Sequence, residues 1–437
     1  MADYSSIFET FACLHVAFLV YVLAIILCGA IPATLGYSFG LRSLYVKCLL
    51  KIFEYGRMRM ASKIMINENG LIKKDNVSPP KSPLPRNRSF GSLQRNFDMA
   101  DALDFLKSGF ETIIDDEVTK RFSAQDLASW NLLTRTNQNY HFISARLSVI
   151  RVLGFFLRYF VLFPARITLL LIGLGFMFYS STFILSQFPK TRTRVRIDEI
   201  CSLVSFRILI RSIFGVVTFH NRENMAKGGG TCVANHTSPI DALILANDRC
   251  YSLVGQIQPG LFGMVERALA RTQDPIWFER SAIKDRQVVT RRLREHVEDL
   301  SKNPILIFPE GTCINNTSVM MFKKGSFETG GVIYPVAIKY DRTFGDAFWN
   351  SSQESIVQYL LSLMTSWALV CDVWYLPPMN RMEDESSVNF ANRVKREIAR
   401  QGGLVDLIWD GQLKRTRVKP EMRQKNQEDY AQRLKLE

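Results

Sequence analysis

The apolar positions of this chain form two long zones, and beyond them short apolar runs alternate with amphipathic ones. From Phe11 to Ile31 the run is almost unbroken and long enough to cross a bilayer core. No basic segment precedes it, and it is longer than a signal-peptide core, so it predicts an uncleaved anchor. The second zone, Val149 to Phe188, is divided by Pro164 and Arg166 into a piece of about a dozen residues and one of about twenty. Arg146 and Arg151 lie at its start and Lys190, Arg192, Arg194 and Arg196 at its end. Like flanks predict a membrane-embedded hairpin over 149–190 that enters and leaves on one face, with a full crossing by the second piece as the competing topology.

From about Arg196 the period changes. A helix over Ile200–Phe214 precedes strand-like Gly215–His220 and Thr231–Ala234, and a helix over Ile240–Ala246 leads to Tyr251–Gly255. Ile276–Arg280, a charged helix over Lys284–Leu300, Pro304–Phe308, Gly331–Lys339 and Val370–Leu376 follow. Short apolar strands alternating with helices predict an α/β domain with a mainly buried sheet flanked by helices, its functional loops at strand ends. We place this domain at 191–405. Before it come the N-terminal end, anchor (11–31) and basic flank over 1–60, a disordered linker over 61–100 and a small helical region over 101–148. A charged tail over 406–437 closes the chain. The linker, with Ser-Pro-Pro-Lys-Ser-Pro-Leu-Pro-Arg at its centre, has too little apolar content for a core.

Charge refines the topology. Asp3 and Glu9 precede the anchor, whereas Arg42, Lys47, Lys51, Arg57 and Arg59 follow it, which puts the N-terminus in the lumen and the following chain in the cytosol. The net charge of +14 over 437 residues finds its partner in anionic lipid headgroups beside the apolar zones, and nucleic acid is not required. The eight cysteines show neither paired nor metal-ligand spacing, which suits reduced thiols. Asn235-His-Thr237 is a chance glycosylation sequon in such a domain.

Three strand ends carry polar residues that a core does not need. In Val233-Ala-Asn-His-Thr-Ser-Pro-Ile-Asp241, His236 falls in a turn and Asp241 in the first turn of the next helix. Two readings fit. Asp241 holds one imidazole nitrogen protonated so that the other takes a proton from an alcohol or thiol, or it serves the helix end, with Ser238 as N-cap and Pro239 at the first helical position. At the second strand end, Arg280 offers a planar fork suited to phosphate or to a surface ion pair. At the third, Phe308-Pro-Glu-Gly-Thr-Cys313, Glu310 can bind hydroxyl groups while the Gly311 turn turns backbone N–H groups toward an anion, or the segment is a plain turn. Lys323 and Lys324 add positive charge nearby.

Together these blocks resemble the glycerolipid acyltransferase family, with its H-x-x-x-x-D and F-P-E-G-T blocks, over roughly Arg196 to Gly403. The wording NHTSPID with FPEGTCINNTS, behind two membrane segments, looks most like the glycerol-3-phosphate acyltransferases of the endoplasmic reticulum. The resemblance implies catalysis by His236 and Asp241 and acceptor binding by Arg280, Glu310, Gly311 and Thr312, with Lys323 and Lys324 near the phosphate. It links the Val332-Ile-Tyr-Pro335 block to acyl-CoA. It further implies acyl-CoA as co-substrate, no cofactor and no metal, glycerol 3-phosphate as acceptor, and lysophosphatidate as product for phospholipid and triacylglycerol synthesis. The expected location is the endoplasmic reticulum membrane with the catalytic domain facing the cytosol, and a non-crossing hairpin also suits a lipid-droplet monolayer. Cys313 stands where many lysophosphatidate acyltransferases carry arginine, which weighs against that acceptor; a lysophospholipid acyltransferase and a membrane scaffold with a degenerate domain are the alternatives. Cys313 as an acyl-enzyme nucleophile has no base near it in sequence.

Overall fold

The computed structural model describes residues 2–36, 40–69, 106–107, 109, 120–124, 145–189, 191–256, 276–278, 283–351 and 353–411. Helix α1 (Ala2–Ile25) continues through a π-helical turn, Ile26–Ala30, into a last turn, Ile31–Thr34. Helix α2 (Leu41–Asn69) follows, so the linker expected from residue 61 keeps helical backbone to Asn69. The reason is local, since from residue 61 onward the first glycine is Gly70 and the first proline Pro79. Residues 70–105 and most of the small helical region expected over 101–148 lie outside the described residues.

The hairpin expected over 149–190 has a different form. Ala145–Gln187 is one helical run, made of α3 (Ala145–Phe156), a π-helical segment (Leu157–Leu162), α4 (Phe163–Tyr179) and two tighter or wider closing turns. Pro164 lacks an N–H, but it sits in the first turn of α4 directly after the π segment, where the ladder is already relaxed. The reversal comes at 188–191, where Phe188 is extended before Pro189, and the returning arm is α5 (Arg192–Ser212), packed along α4. His15–Thr34 and Ala145–Gln187 are both long and apolar enough to cross a membrane, and they mark the chain as membrane-associated.

Seven strands form one sheet in the order β1-β8-β7-β2-β5-β3-β4. They are β1 (Gly215–His220), β2 (Thr231–Ala234), β3 (Ser252–Gln256), β4 (Ile276–Phe278), β5 (Ile305–Ile307), β7 (Ile333–Asp341) and β8 (Leu369–Tyr375). Strands β2, β3, β4, β5 and β7 are mutually parallel, β8 is antiparallel to β7, and β1 is parallel to β8. A short pair, β6 (Ser318–Val319) with β9 (Val405–Asp406), lies apart. Helix α6 (Asp241–Ala246) follows β2, and α7 (Ile283–Glu298) leads toward β5. The remaining helices are α8 (Ile356–Thr365) and α9 (Ser387–Gly402).

The alternation of side chains along each strand decides what each face meets. Cys232, Val336, Ile338, Cys371 and Val373 pack against Ile210 of α5, Ile244 of α6, Leu363 of α8 and, from α4, Ile167 and Leu170. Val233, Ala337 and Ile333 face the other way, against Phe390, Val394 and Ile398 of α9. Because β2 and β5 are parallel neighbours, the turns at their C-terminal ends lie side by side. Where β2 ends, two side-chain amides continue its pairing. Asn235 donates to Ile338 O at 2.9 Å and accepts from Ile338 N at 2.8 Å, and Asn316 accepts from Tyr340 N at 2.8 Å. Asn235 is therefore buried, with its amide committed to Ile338.

The tail expected from residue 406 starts as part of the fold. Leu407 N donates to Val319 O at 3.0 Å, Met321 N to Trp409 O at 2.8 Å, and Lys395 pairs with Asp406 at 2.8 Å. At Gly411 the chain passes so near the Glu310–Thr312 turn that an added Cβ would stand 2.6 Å from Thr312 Cγ2 and 3.2 Å from Glu310 O. Gly411→Ala is accordingly expected to destabilise the protein by about 1–3 kcal/mol, the usual cost of overpacking. A thermal unfolding midpoint equal to that of the wild type would show that this strap is not seated on the turn.

Candidate active site

The turn after β2 is held by one carboxylate. Asp241 Oδ2 accepts from Thr237 N at 2.7 Å, from Ser238 N at 2.8 Å and from His236 Nδ1 at 3.0 Å, while Tyr340 OH donates to Oδ1. The same carboxylate thus closes the turn and holds the imidazole. The cap differs in detail. The helix begins at Asp241 with Ile240 as its N-cap, and Ser238-Pro-Ile-Asp241 is a β-turn in which Asp241 N donates to Ser238 O at 3.0 Å. Proline at the second position suits that turn. Ser238 Oγ accepts from Ile240 N at 3.2 Å and bonds Tyr359 OH, which ties α8 to the turn.

His236 is fixed on every side. Its N donates to Glu310 Oε1 at 2.8 Å, its O accepts from Ile314 N at 2.9 Å, and its ring stacks on Phe308 with centroids 4.4 Å apart. With Nδ1 donating to Asp241, Nε2 is left as the acceptor, and Cys313 Sγ lies 3.5 Å from it. Burial opposes a charge on this ring, but Cys313 and Asp241 on its two sides outweigh that and hold its pKa well above the usual imidazole value. The side chain of His236 is 19% exposed and that of Asp241 not at all, so the ring is the reachable member of the pair.

Phe308-Pro-Glu-Gly311 is a turn with Gly311 N donating to Phe308 O at 3.2 Å, and Gly311 needs its φ of +67°. Glu310 points inward. Oε1 takes His236 N and Oε2 takes Met320 N at 2.8 Å, and burial pushes its carboxyl up to about 7 against these two bonds. Glu310 thus holds the backbone of the histidine turn. Thr312 is buried beside Gly411, and Lys323 Nζ would stand 3.1 Å from a Cβ on Gly311, which puts this amine over the turn. Lys324 faces solvent in an ion pair with Glu328 at 3.1 Å. Pro335 lies within β7 opposite Val233, and Arg280 lies outside the described residues.

The fold thus gathers His236, Asp241, Glu310, Gly311, Thr312 and Lys323, and adds residues that sequence reasoning missed. Tyr340 and Tyr359 carry no motif, and burial keeps both phenols neutral, so that Tyr340 can donate to the carboxylate. Cys313, with no histidine near it in sequence, is brought against His236 by the pairing of β2 with β5. Residues 120–123, from a region with no assigned task, brace the loop after Cys313. Arg121 Nη1 donates to Thr317 Oγ1 at 2.9 Å, and Asn315 N donates to Arg121 O at 3.0 Å. His220 of edge strand β1 also has a carboxylate, Asp372 of β8 at 2.9 Å, but the pair is half-exposed and β7 lies between it and β2.

The Acyltransferase family profile matches residues 216–339. Glycerol-3-phosphate acyltransferase 3 of Xenopus laevis is 52% identical over 433 residues, covering 97% of this chain and 96% of that protein. Glycerol-3-phosphate acyltransferase 4 of Homo sapiens is 51% identical over 416 residues, covering 92% of this chain and 91% of that protein. Among solved structures, the 1-acyl-sn-glycerophosphate acyltransferase PlsC of Thermotoga maritima aligns with a TM-score of 0.39 at 16% identity, over 58% of this chain and 97% of that one.

Glu310→Gln leaves an amide group facing one of the two backbone N–H donors. The expected loss is about 1.5–3 kcal/mol of stability, the worth of a hydrogen bond to a charged group. An unchanged denaturation midpoint would mean that Glu310 does not hold His236 N and Met320 N.

Proposed function

As the chain belongs to the glycerol-3-phosphate acyltransferase family, we propose that His236 and Asp241 are the base and its orienting carboxylate in acyl transfer from acyl-CoA to the sn-1 hydroxyl of glycerol 3-phosphate. The observation that carries this assignment is the Asp241 Oδ2 to His236 Nδ1 contact at 3.0 Å, with Nε2 turned toward the Glu310–Cys313 turn. Nε2 accepts the hydroxyl proton as the oxygen attacks the thioester carbonyl. Asp241 stabilises the imidazolium that forms. Collapse of the tetrahedral intermediate expels CoA as its thiolate, and the imidazolium releases its proton. General-base assistance of this kind is worth about 10²–10⁴-fold. Lys323 over the Gly311 turn is the cation we assign to the acceptor phosphate, together with Arg280. The product is lysophosphatidate, the entry to phospholipid and triacylglycerol synthesis.

The Sγ to Nε2 contact of 3.5 Å favours a second reading, in which Cys313 takes the acyl group as a thioester before the acceptor attacks. Direct transfer is our assignment, since the donor is already a thioester and gains no activation from a second one. Membranes containing the protein, given labelled acyl-CoA with glycerol 3-phosphate and lysophospholipids side by side, are expected to label lysophosphatidate. His236→Ala should abolish transfer and Cys313→Ala should retain it. Transfer by the histidine variant would remove the base, loss with Cys313→Ala would favour the relay, and preference for a lysophospholipid would move the acceptor. The raised pKa of His236 sets the pH profile. The base is protonated and idle below that pKa, so activity rises with pH through a limb above the usual imidazole value of about 6.5. Asp241→Asn removes a raising influence and should shift the limb toward acid while lowering kcat.

We further assign the protein to the endoplasmic reticulum membrane, with the catalytic domain facing the cytosol, where CoA and glycerol 3-phosphate are found; the lipid-droplet monolayer is a secondary site. This orientation is supported by the basic flanks of the apolar run and by α5, which returns along α4 to the sheet. Protease added outside sealed microsomes should cleave residues 191–405, and protection of that domain would reverse the assignment.

A further inference from the structure

Helix α8 has a surface that solubility does not explain. Its sequence, Ile356-Val-Gln-Tyr-Leu-Leu-Ser-Leu-Met-Thr365, contains no charged residue. Tyr359, Leu363 and Met364 face the core, yet Val357 is 56% and Leu361 44% exposed, one turn apart on the outer side. The outer stripe of a helix in contact with water is ordinarily charged or polar.

The C-terminus of α8 is fastened to the long apolar helix. Arg166 of α4 is wholly buried and donates through Nη1 to Met364 O and Ser366 O, both at 2.6 Å, and through Nη2 to Trp367 O at 2.7 Å. Arg158 donates to Thr365 O at 3.1 Å, and Tyr45 to Trp367 O at 2.9 Å. These donors satisfy the free carbonyls at the helix end and place cations at its negative pole. The same contacts set the level of α8 relative to Ala145–Gln187. Arg158 and Arg166 lie inside that apolar run, among outward-facing Phe156, Phe160, Val161 and Leu171. Helix α8 packs beside both the Leu157–Leu162 segment and α4. Helix α8, whose outer side carries Val357 and Leu361 together with uncharged Gln358 and Ser362, is therefore fixed against the apolar run.

We propose that Val357 and Leu361 form a lipid-docking face that enters the headgroup and acyl-chain boundary of the leaflet holding Ala145–Gln187. This rests on the reading of that run as membrane-embedded. Neutral lipid-facing side chains suit a burial depth of about 5–10 Å, typical of interfacial helices. The inner side of α8 carries Tyr359, which bonds Ser238 in the histidine turn, so a single helix, about 10 Å across, separates the leaflet from the site. Acyl-CoA dissolved in that leaflet then reaches His236 alongside α8 without its chain crossing water.

The test is photocrosslinking of the full chain in phosphatidylcholine vesicles that contain a radiolabelled phospholipid. p-Benzoylphenylalanine is placed singly at position 361, at 171 on the outward side of α4, and at 400 on exposed α9. Positions 361 and 171 are expected to take up phospholipid several-fold more than position 400. Lipid at 171 but only background at 361 would overturn the docking of α8 while leaving the membrane run in place. Background at both would overturn the membrane reading with it, and a covalent protein dimer through 361 would assign the face to a second copy of the chain. Crosslinking does not depend on turnover, so its outcome is separable from failure of the His236 assignment.

Discussion

The buried carboxylate of Asp241 is the constraint on which the catalytic region depends. A charge removed from water is tolerated only when its oxygens are fully engaged, and here two backbone N–H groups, an imidazole N–H and a phenol supply the donors. The arrangement makes turn geometry and ring orientation inseparable. Any change that frees the Thr237 or Ser238 N–H also releases the ring, and any change that releases the ring leaves an incompletely satisfied charge in the core. Tyr340 reaches this carboxylate from β7, which pairs with β2, so the sheet itself supplies the fourth donor.

The same economy of backbone partners extends outward. Glu310 binds the N–H of His236 from the neighbouring strand end and the N–H of Met320 from the loop beyond, so the two motif blocks are joined through main chain rather than through substrate. Asn235 and Asn316 stand in for strand partners where the β2 ladder stops. Residues 120–123 and 405–411, far apart in sequence, close over the loop that carries Cys313 and the turn that carries Glu310. The turns of the site are thus held by hydrogen bonds from the chain itself, which suits chemistry that depends on orientation.

The junction between the apolar run and the sheet domain is equally specific. An arginine in an apolar helix is costly unless its donors are met, and Arg166 meets them with carbonyls of the α8 end rather than with an acid. The ring of Phe214, 4.5 Å from the guanidinium carbon, adds a cation–π contact. The apolar run is therefore part of the catalytic domain's own packing, with Ile167 and Leu170 in the main core.

Sequence alone determined the α/β class, the strands around His236 and Glu310, the apolar runs and the family, because periodicity and motif spacing are local properties. His236 and Asp241 were legible because only six residues span both. Helices α8 and α9 were not read, although the Ser355 capping box and the Ser386 cap mark their starts. The fate of Pro164 was misread because a proline breaks a helix only when no relaxed turn precedes it. Tertiary structure decided what no spacing could. It turned Glu310 from an expected hydroxyl binder into a backbone clamp and sent Lys323 over the turn while Lys324 faced water. It set Cys313 against His236 and made α5 the arm that returns along the apolar run. Each of these depends on which strand lies beside which, and strand order is fixed by burial of both faces of the sheet at once, which local sequence does not encode.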